Sequence, residues 1–312
     1  MLRAQRAALA GLIRAAEGVP GPGRARSSRL LPLPCGAARP EPRGVGKEGT
    51  RWGLMSGGRP GLGEMGGGRP PGRDALSAEA AGESPTRVRL RLRAEPAVSA
   101  GWREAVAAAV GALQEGGLVA VPTDTVYGVA CLAQDSRAVR SIYSLKGRNG
   151  TKPLAICLGD VEHIYRYCHV NVPDELLQDL LPGPVTLVLK RSEELNKDLN
   201  PFTSLVGVRI PNHPFIRELA RACPGPLALT SANVSSQAST LTVSEFQDLW
   251  PQLSLVVDGG PIGDVQSPQC RLGSTVVDLS VSGKFTIIRP GCALTATVEI
   301  LRQKYGLVPE SS

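Results

Sequence analysis

The sequence predicts one α/β domain over residues 96–306, built on a twisted sheet of mixed parallel and antiparallel strands with flanking helices. Three observations predict it. From residue 101 onward, helical periodicities alternate with short apolar runs rich in Val, Ile and Leu, the pattern of strands covered on both faces. The late runs "GSTVVDLS" and "KFTIIRPG" are placed to pair as antiparallel neighbours. A chain of 312 residues with 42% hydrophobic content is long enough for one large core or two small ones, and the unbroken alternation, without an internal repeat, favours one.

The domain does not begin at residue 1. "MLRAQRAALAGLIRAAEG" carries Arg3, Arg6 and Arg14 with no acid before Glu17, and Leu2, Leu9, Leu12 and Ile13 between them. On a helix these separate into a basic and an apolar face, as in a mitochondrial presequence, so residues 1–55 read as a targeting segment. Residues 56–95 are rich in Gly, Pro, Arg and Ser, and such a composition buries too little apolar surface to offset its ordering entropy. They read as a disordered linker. "RVRLRLR" at 87–93 alternates like a strand, yet its charges limit it to an edge or an interaction arm, and residues 1–95 are placed outside the fold.

Within the domain, "GWREAVAAAVGALQEGG" is a helix stopped by Gly116 and Gly117. "LVAVP" is a buried strand that breaks at Pro122-Thr123-Asp124-Thr125 and resumes as "VYGVA". "DSRAVRSIYSLKGR" is a helix begun by Asp135 or Ser136, and "PLAICLG" a buried strand. "PDELLQDLLPG" is a helix, while "PVTLVLK" and "SLVGVRIP" are strands. "HPFIRELARAC" is a helix, "PLALT" a short strand, "TVSEFQDLW" a helix and "LSLVVDGG" a strand. The antiparallel pair follows, "TATVEILRQKYG" closes as a helix, and 307–312 is a tail.

Charge and cysteine content exclude some functions. The formal charge of +7 belongs to the leader: residues 1–95 hold 17 Lys and Arg against 8 acids, leaving 18 against 20 for the rest. The basic pI is therefore no nucleic-acid footprint of the fold. Seven cysteines form no C-x-x-C pair and there are three histidines, so neither a structural zinc site nor a disulfide framework is expected, and the thiols are read as buried and reduced. No apolar run approaches the ~18 residues that span a bilayer.

Polar residues gather where strands end, the place where open α/β sheets bind ligands. Thr123, Asp124 and Thr125 form the first such corner, which is either a self-satisfied turn or part of a site. Lys146 and Arg148 close a helix and Lys152 precedes a strand, while Thr186 lies inside one. Arg209, between Val208 and Ile210, needs a partner, either a structural carboxylate or a ligand. Thr230, Ser231 and Asn233 follow another strand, and Ser274, Thr275 and Arg289 come late.

In this order "PTDTVYG", "LKGR", "PGPVT", "VRIP", "TSAN", "DGG", "GSTVVD" and "IRPG" resemble the Sua5/YrdC/YciO family over roughly 100–306. The chain is similar to the shorter form, without the additional C-terminal domain of Sua5 proteins. The resemblance implies a YrdC-like sheet around a large, positively lined concave cavity. It also implies threonylcarbamoyl-AMP synthase activity, in which L-threonine, bicarbonate and ATP give threonylcarbamoyl-adenylate, pyrophosphate and water. The product would pass to a tRNA threonylcarbamoyl-transferase for t6A formation in tRNAs reading ANN codons. By motif match, Lys146 and Arg148 (K-x-R) and Ser231 and Asn233 (S-x-N) would bind ATP, as would Thr186, Arg289 and, across a loop where alignment slips, Lys152. Thr125, then Thr123, Arg209 and Ser274 would bind threonine. No residue is implied beyond substrate positioning, and Mg2+ would arrive with ATP, held mainly by its phosphates. Cytoplasm and mitochondrion are the expected compartments, with weak RNA binding as a further expectation. A non-catalytic double-stranded RNA or tRNA-binding module is the alternative, opposed by the near-neutral domain and its few aromatics. A carbamoyl-transfer domain is disfavoured because it would carry paired-cysteine zinc motifs.

Overall fold

The computed structural model describes residues 88–92, 100–147, 152–235 and 237–310. Their strands are Val88–Arg91 (β1), Val119–Val121 (β2), Gly128–Leu132 (β3), Ala155–Cys157 (β4), Cys168–His169 (β5) and Val185–Arg191 (β6). Leu205–Arg209 (β7), Leu227–Ser231 (β8), Leu255–Asp258 (β9), Thr275–Asp278 (β10), Lys284–Arg289 (β11) and Val308–Pro309 (β12) follow. They form one mixed sheet in the order β1-β9-β2-β3-β8-β4-β7-β6-β10-β11-β12, with β5 beside β6. The β10–β11 pair is antiparallel as the sequence suggests, with Val276 opposite Arg289 and Val277 opposite Ile287. The break after Val121 is the turn of a hairpin, since β2 and β3 pair antiparallel with Val121 opposite Gly128.

The helices are Ala100–Gln114 (α1), Ser136–Leu145 (α2), Ile164–Tyr167 (α3), Asp174–Leu180 (α4), Pro214–Ala222 (α5) and Leu294–Glu299 (α6). Helix α1 ends where Gly116 takes φ +81°, a left-handed conformation that costs glycine little. Asp135 caps α2 by accepting from the backbone N–H of Arg137 at 2.8 Å and of Ala138 at 3.1 Å. Two predicted helices are less regular. Residues 243–252 are tight 3-10 turns kinked at Phe246, with Pro251 unable to donate into an α-helical ladder. The last helix passes into a π turn at Ile300–Lys304.

Strand alternation divides the core into two layers. Val119 and Val121 face one layer with Ala130, Leu227, Leu229, Leu255 and Val257, and α1 and α5 cover it. Trp102 of α1 meets Phe215 of α5 edge-on at 5.4 Å, and its indole N–H donates to Glu218 at 2.5 Å. Ala120, Val129, Cys131 and Ala228 point the other way, into the layer holding the apolar faces of α2 and α4. On the first face, α1 and α5 cover the β9-β2-β3-β8-β4 half. Over β6, β7, β10 and β11 a separate small cluster of Val188, Leu205, Val276 and Ile288 takes over. The gap between these clusters is where the cavity opens.

Two expectations need correction. Residues 88–91 belong to the fold: β1 pairs parallel with β9, Val88 opposite Leu255, and Asp258 takes an ion pair from Arg89 at 2.5 Å. The arginines are tolerated because they lie at the sheet edge, Arg91 largely in solvent. The rest of 1–95, apart from residue 92, lies outside the described residues, as do Arg148 and residues 311–312. Cys131, Cys157, Cys168, Cys223 and Cys292 are free thiols, but Cys270 is disulfide-bonded, and pairing by spatial approach leaves no C-x-x-C signature in the chain. Burial pushes the Cys157 thiol up to about 12, which keeps it protonated and inert. Among the described residues no helix is long and apolar enough to cross a membrane.

Candidate active site

The cavity, about 150 Å³, opens on the sheet face rather than beyond the strand ends. Leu229, Ala155, Gly207 and Val188 stand side by side across β8, β4, β7 and β6. The small Ala155 and Gly207 between two larger neighbours leave a trough, and Gly128 of β3 extends it. A Cβ at Gly207 would come within 3.0 Å of Thr186 Cγ2. These small strand residues were not singled out from the sequence; the available signal was a glycine inside each of two otherwise apolar strands, "VYGVA" and "LVGVR".

One wall is the Pro-Thr-Asp-Thr corner. Thr123 Oγ1 donates to Val126 O at 2.7 Å and accepts from the N–H groups of Thr125 and Val126 at 3.2 and 3.3 Å, a self-satisfied turn. The corner is nonetheless part of the site, because Thr123 lines the cavity and Arg209 reaches into it. Arg209 Nη2 donates to Asp124 Oδ1 at 2.6 Å and to Thr125 Oγ1, and lies 3.4 Å from Thr123 Oγ1. The partner Arg209 requires is thus a structural carboxylate, Asp124. Thr125, an expected substrate contact, is buried, its hydroxyl accepts from the Arg209 guanidinium, and it is not among the residues that line the cavity.

The opposite wall is a chain of polar groups from β6, β11 and the residue that precedes β10. Thr186 Oγ1 lies 2.8 Å from Ser274 Oγ, and Arg289 Nη2 donates to Ser274 O at 2.7 Å and to its Oγ at 3.2 Å. Gly291 permits this approach, since a Cβ there would sit 2.3 Å from the carbonyl carbon of Ser274. Thr186, Ser274 and Arg289 all line the cavity, and Lys152 lines its rim.

The third wall is the Ser231–Ser235 turn after β8. Here Lys146 departs from expectation. It is 1% exposed and lines no part of the cavity. Its ammonium donates to Ser231 O at 2.7 Å, to Asn233 O and to Asn233 Oδ1 at 3.1 Å, because a buried cation holds only where acceptors surround it. Asn233 Nδ2 donates to Val234 O at 3.0 Å and to Gln237 O at 2.7 Å, so this side chain too is engaged within the turn. Arg271, not anticipated, ties this wall to its neighbours by donating to Ser239 O at 2.8 Å and Glu245 at 2.6 Å. Tyr127, also not anticipated as a lining residue, donates to Gly260 O at 2.7 Å and accepts from the Gly259 N–H at 3.0 Å. Burial raises its phenol well above the ordinary value, so it stays neutral.

Arg209, Arg289 and Lys152 bring fixed positive charge to a lining that, among the described residues, contains no Asp or Glu. Hydroxyls and cations without carboxylates suit anionic ligands. They do not suit a dedicated cation cage, and among the described residues no three His, Cys, Asp or Glu groups converge on a metal position.

The Sua5_yciO_yrdC family model, described as telomere recombination, matches residues 111–291. The chain belongs to the Sua5/YciO/YrdC family. It is 68% identical to human threonylcarbamoyl-AMP synthase over 226 residues, covering 70% of this chain and 81% of that protein. The structure of P. abyssi Sua5 complexed with L-threonine is similar with a TM-score of 0.56 and 31% identity, over 65% of this chain and 57% of the longer Sua5 chain. E. coli YciO is similar with a TM-score of 0.55 and 25% identity, over 61% of this chain and 90% of that one. In this chain the cavity walls described above fall on "PTDTVYG", "TSAN", "GSTVVD" and "IRPG".

Proposed function

We infer that this protein is a threonylcarbamoyl-AMP synthase, a nucleotidyltransferase serving t6A formation in tRNA. The single observation that carries the reading is the carboxylate-free cavity lined by Arg209, Arg289 and Lys152, in a chain so similar to proteins of that name. The threonine amine attacks the carbon of bicarbonate or CO2, giving a carbamate with loss of water or a proton. A carbamate oxygen then attacks the ATP α-phosphorus, and pyrophosphate leaves. Nucleophile and electrophile are both anionic, so catalysis rests on fixed cations and hydrogen-bond donors more than on a general base.

In this reading Arg209, which lines the cavity beside Thr123, would take the threonine carboxylate, and the Thr186–Ser274 pair would offer hydroxyls to the amino acid or the carbamate. Arg289 and Lys152 suit the ATP phosphates, with Arg148 in the adjoining K-x-R motif, and Ser231 offers a hydroxyl from the opposite wall. Mg2+ enters as the ATP complex, held by phosphate and water. The adenylate then passes to a tRNA threonylcarbamoyl-transferase, and residues 1–55 send part of the protein to mitochondria, the remainder acting in the cytoplasm. Purified protein given ATP, L-threonine and bicarbonate forms threonylcarbamoyl-AMP, detected by mass spectrometry. Pyrophosphate release that proceeds without threonine or without bicarbonate would overturn the reading.

A further inference from the structure

Asn200 lies in the segment between β6 and β7, does not line the cavity and belongs to none of the motifs read from the sequence, yet it is fully buried. Its φ of +52° is in the left-handed region, which asparagine tolerates better than most side chains. A buried amide is costly unless it is hydrogen-bonded, and this one is bonded at both ends. Nδ2 donates to Leu154 O at 2.8 Å, while Oδ1 accepts from the Leu154 N–H at 2.8 Å and from the Tyr143 hydroxyl of α2 at 2.8 Å.

Bonding the N–H and the C=O of one residue together is what a neighbouring strand does. Leu154 stands immediately before β4, so the Asn200 amide continues the pairing of that strand one residue beyond its start. Leu154, Pro153 and Lys152 all line the cavity. Proline has a locked φ and restricts the residue before it to extended backbone, so little torsional freedom separates Leu154 from Lys152. Holding Leu154 therefore holds the rim.

We propose that Asn200 is a positioning residue for the phosphate subsite: through Leu154 it fixes the backbone that carries Lys152, and so sets where the Lys152 ammonium meets the ATP phosphates. The proposal rests on the reading that this cavity takes ATP. Asn200 touches no substrate.

The test measures threonylcarbamoyl-AMP formation by the full chain, with ATP and threonine varied separately, beside melting temperature. Asn200→Gly suits the backbone conformation and removes the amide. It raises the KM for ATP about five- to tenfold, the scale of a misplaced charge-assisted contact, and leaves that for threonine within about twofold. In a Lys152→Ala background the same change adds less than about twofold, because an effect exerted through Lys152 disappears with it. Tyr143→Phe removes the hydroxyl and its bond to Oδ1 but neither bond to Leu154, and keeps the ATP requirement within about twofold of wild type. A merely structural Asn200 would lower stability, shift both substrate requirements together and act with equal force with or without Lys152. That result overturns the proposal, as does a Tyr143→Phe protein whose ATP requirement matches that of Asn200→Gly. If Lys152→Ala leaves ATP use unchanged, the ATP reading of the rim fails and the proposal with it, whereas a Lys152 effect without an Asn200 effect sinks the proposal alone. Should Asn200→Gly not fold, Asn200→Asp keeps both acceptor contacts and loses the donor to Leu154 O. A raised ATP requirement in that variant supports positioning, and an unchanged one overturns it.

Discussion

Lys146 and Asn233, 87 residues apart in the chain, are joined twice: the ammonium donates to the Asn233 main-chain oxygen and to its side-chain Oδ1 at 3.1 Å. With the bond to Ser231 O, one buried cation thereby shapes a cavity wall it does not line. Lys146→Met should therefore cost about 2–4 kcal/mol of stability, since it strands buried carbonyls, and should damage ATP and threonine use together. Lys152→Ala, at the rim, should instead raise the ATP requirement about tenfold with little change in melting temperature. Thermal melts beside separate ATP and threonine titrations check both. A Lys146→Met protein of wild-type stability with only ATP use impaired would return Lys146 to the phosphates.

The trough depends on Gly207. Gly207→Leu places a side chain over the floor between Ala155 and Val188, after a shift of a few tenths of an ångström at Thr186. Activity should drop by at least about a hundredfold while far-UV circular dichroism stays native, because the added bulk enters open space rather than a packed core. Near-normal turnover in a folded Gly207→Leu protein would move the site elsewhere.

Stability should fall with acid through His213. Its Nδ1 is buried without a partner among the described residues, and burial lowers the imidazole pKa to about 4, with Asp124 pulling the other way. The unfolded chain binds the proton near pH 6.5. The folded chain resists it until about pH 4. This contribution is therefore complete above about pH 6.5 and is lost as pH falls toward 4, on the order of 3 kcal/mol. Urea midpoints measured across that range should flatten in His213→Gln, which carries no titrating group.

Residues 88–91 should matter to stability although they precede the domain boundary suggested by composition. Truncation that begins at residue 96 removes β1 and its Arg89–Asp258 pair from the sheet edge. Relative to a chain beginning at residue 84, it should melt roughly 4–8 °C lower, the equivalent of about 2 kcal/mol in a domain of this size. Equal melting temperatures would mean that β1 contributes nothing to the fold.

The leader makes a separate prediction. A fluorescent reporter fused to residues 1–55 should enter mitochondria, and changing Arg3, Arg6 and Arg14 to Glu should abolish import, since the basic face of an amphipathic presequence is what receptors and potential act on. A reporter that stays in the cytosol with the arginines intact would refute targeting.

Alternating helices and strands, the antiparallel β10–β11 pair and the motif set that placed the chain in its family were all legible in the sequence, because periodicity and turn chemistry are local properties. The polar corner at Thr123–Thr125 was legible too, as was the need of Arg209 for a partner. Which partner it takes depends on a contact 85 residues away in the chain, and only the β2–β3 corner folding over the end of β7 selects Asp124. Lys146 shows the same limit more sharply. At the end of a helix it reads, by motif match, as an ATP ligand, and its burial is decided by carbonyls of the distant "TSAN" segment after β8. The cavity floor, likewise, exists because register sets Ala155 beside Gly207 on neighbouring strands, and two small residues 52 positions apart make a trough only once the sheet has aligned them.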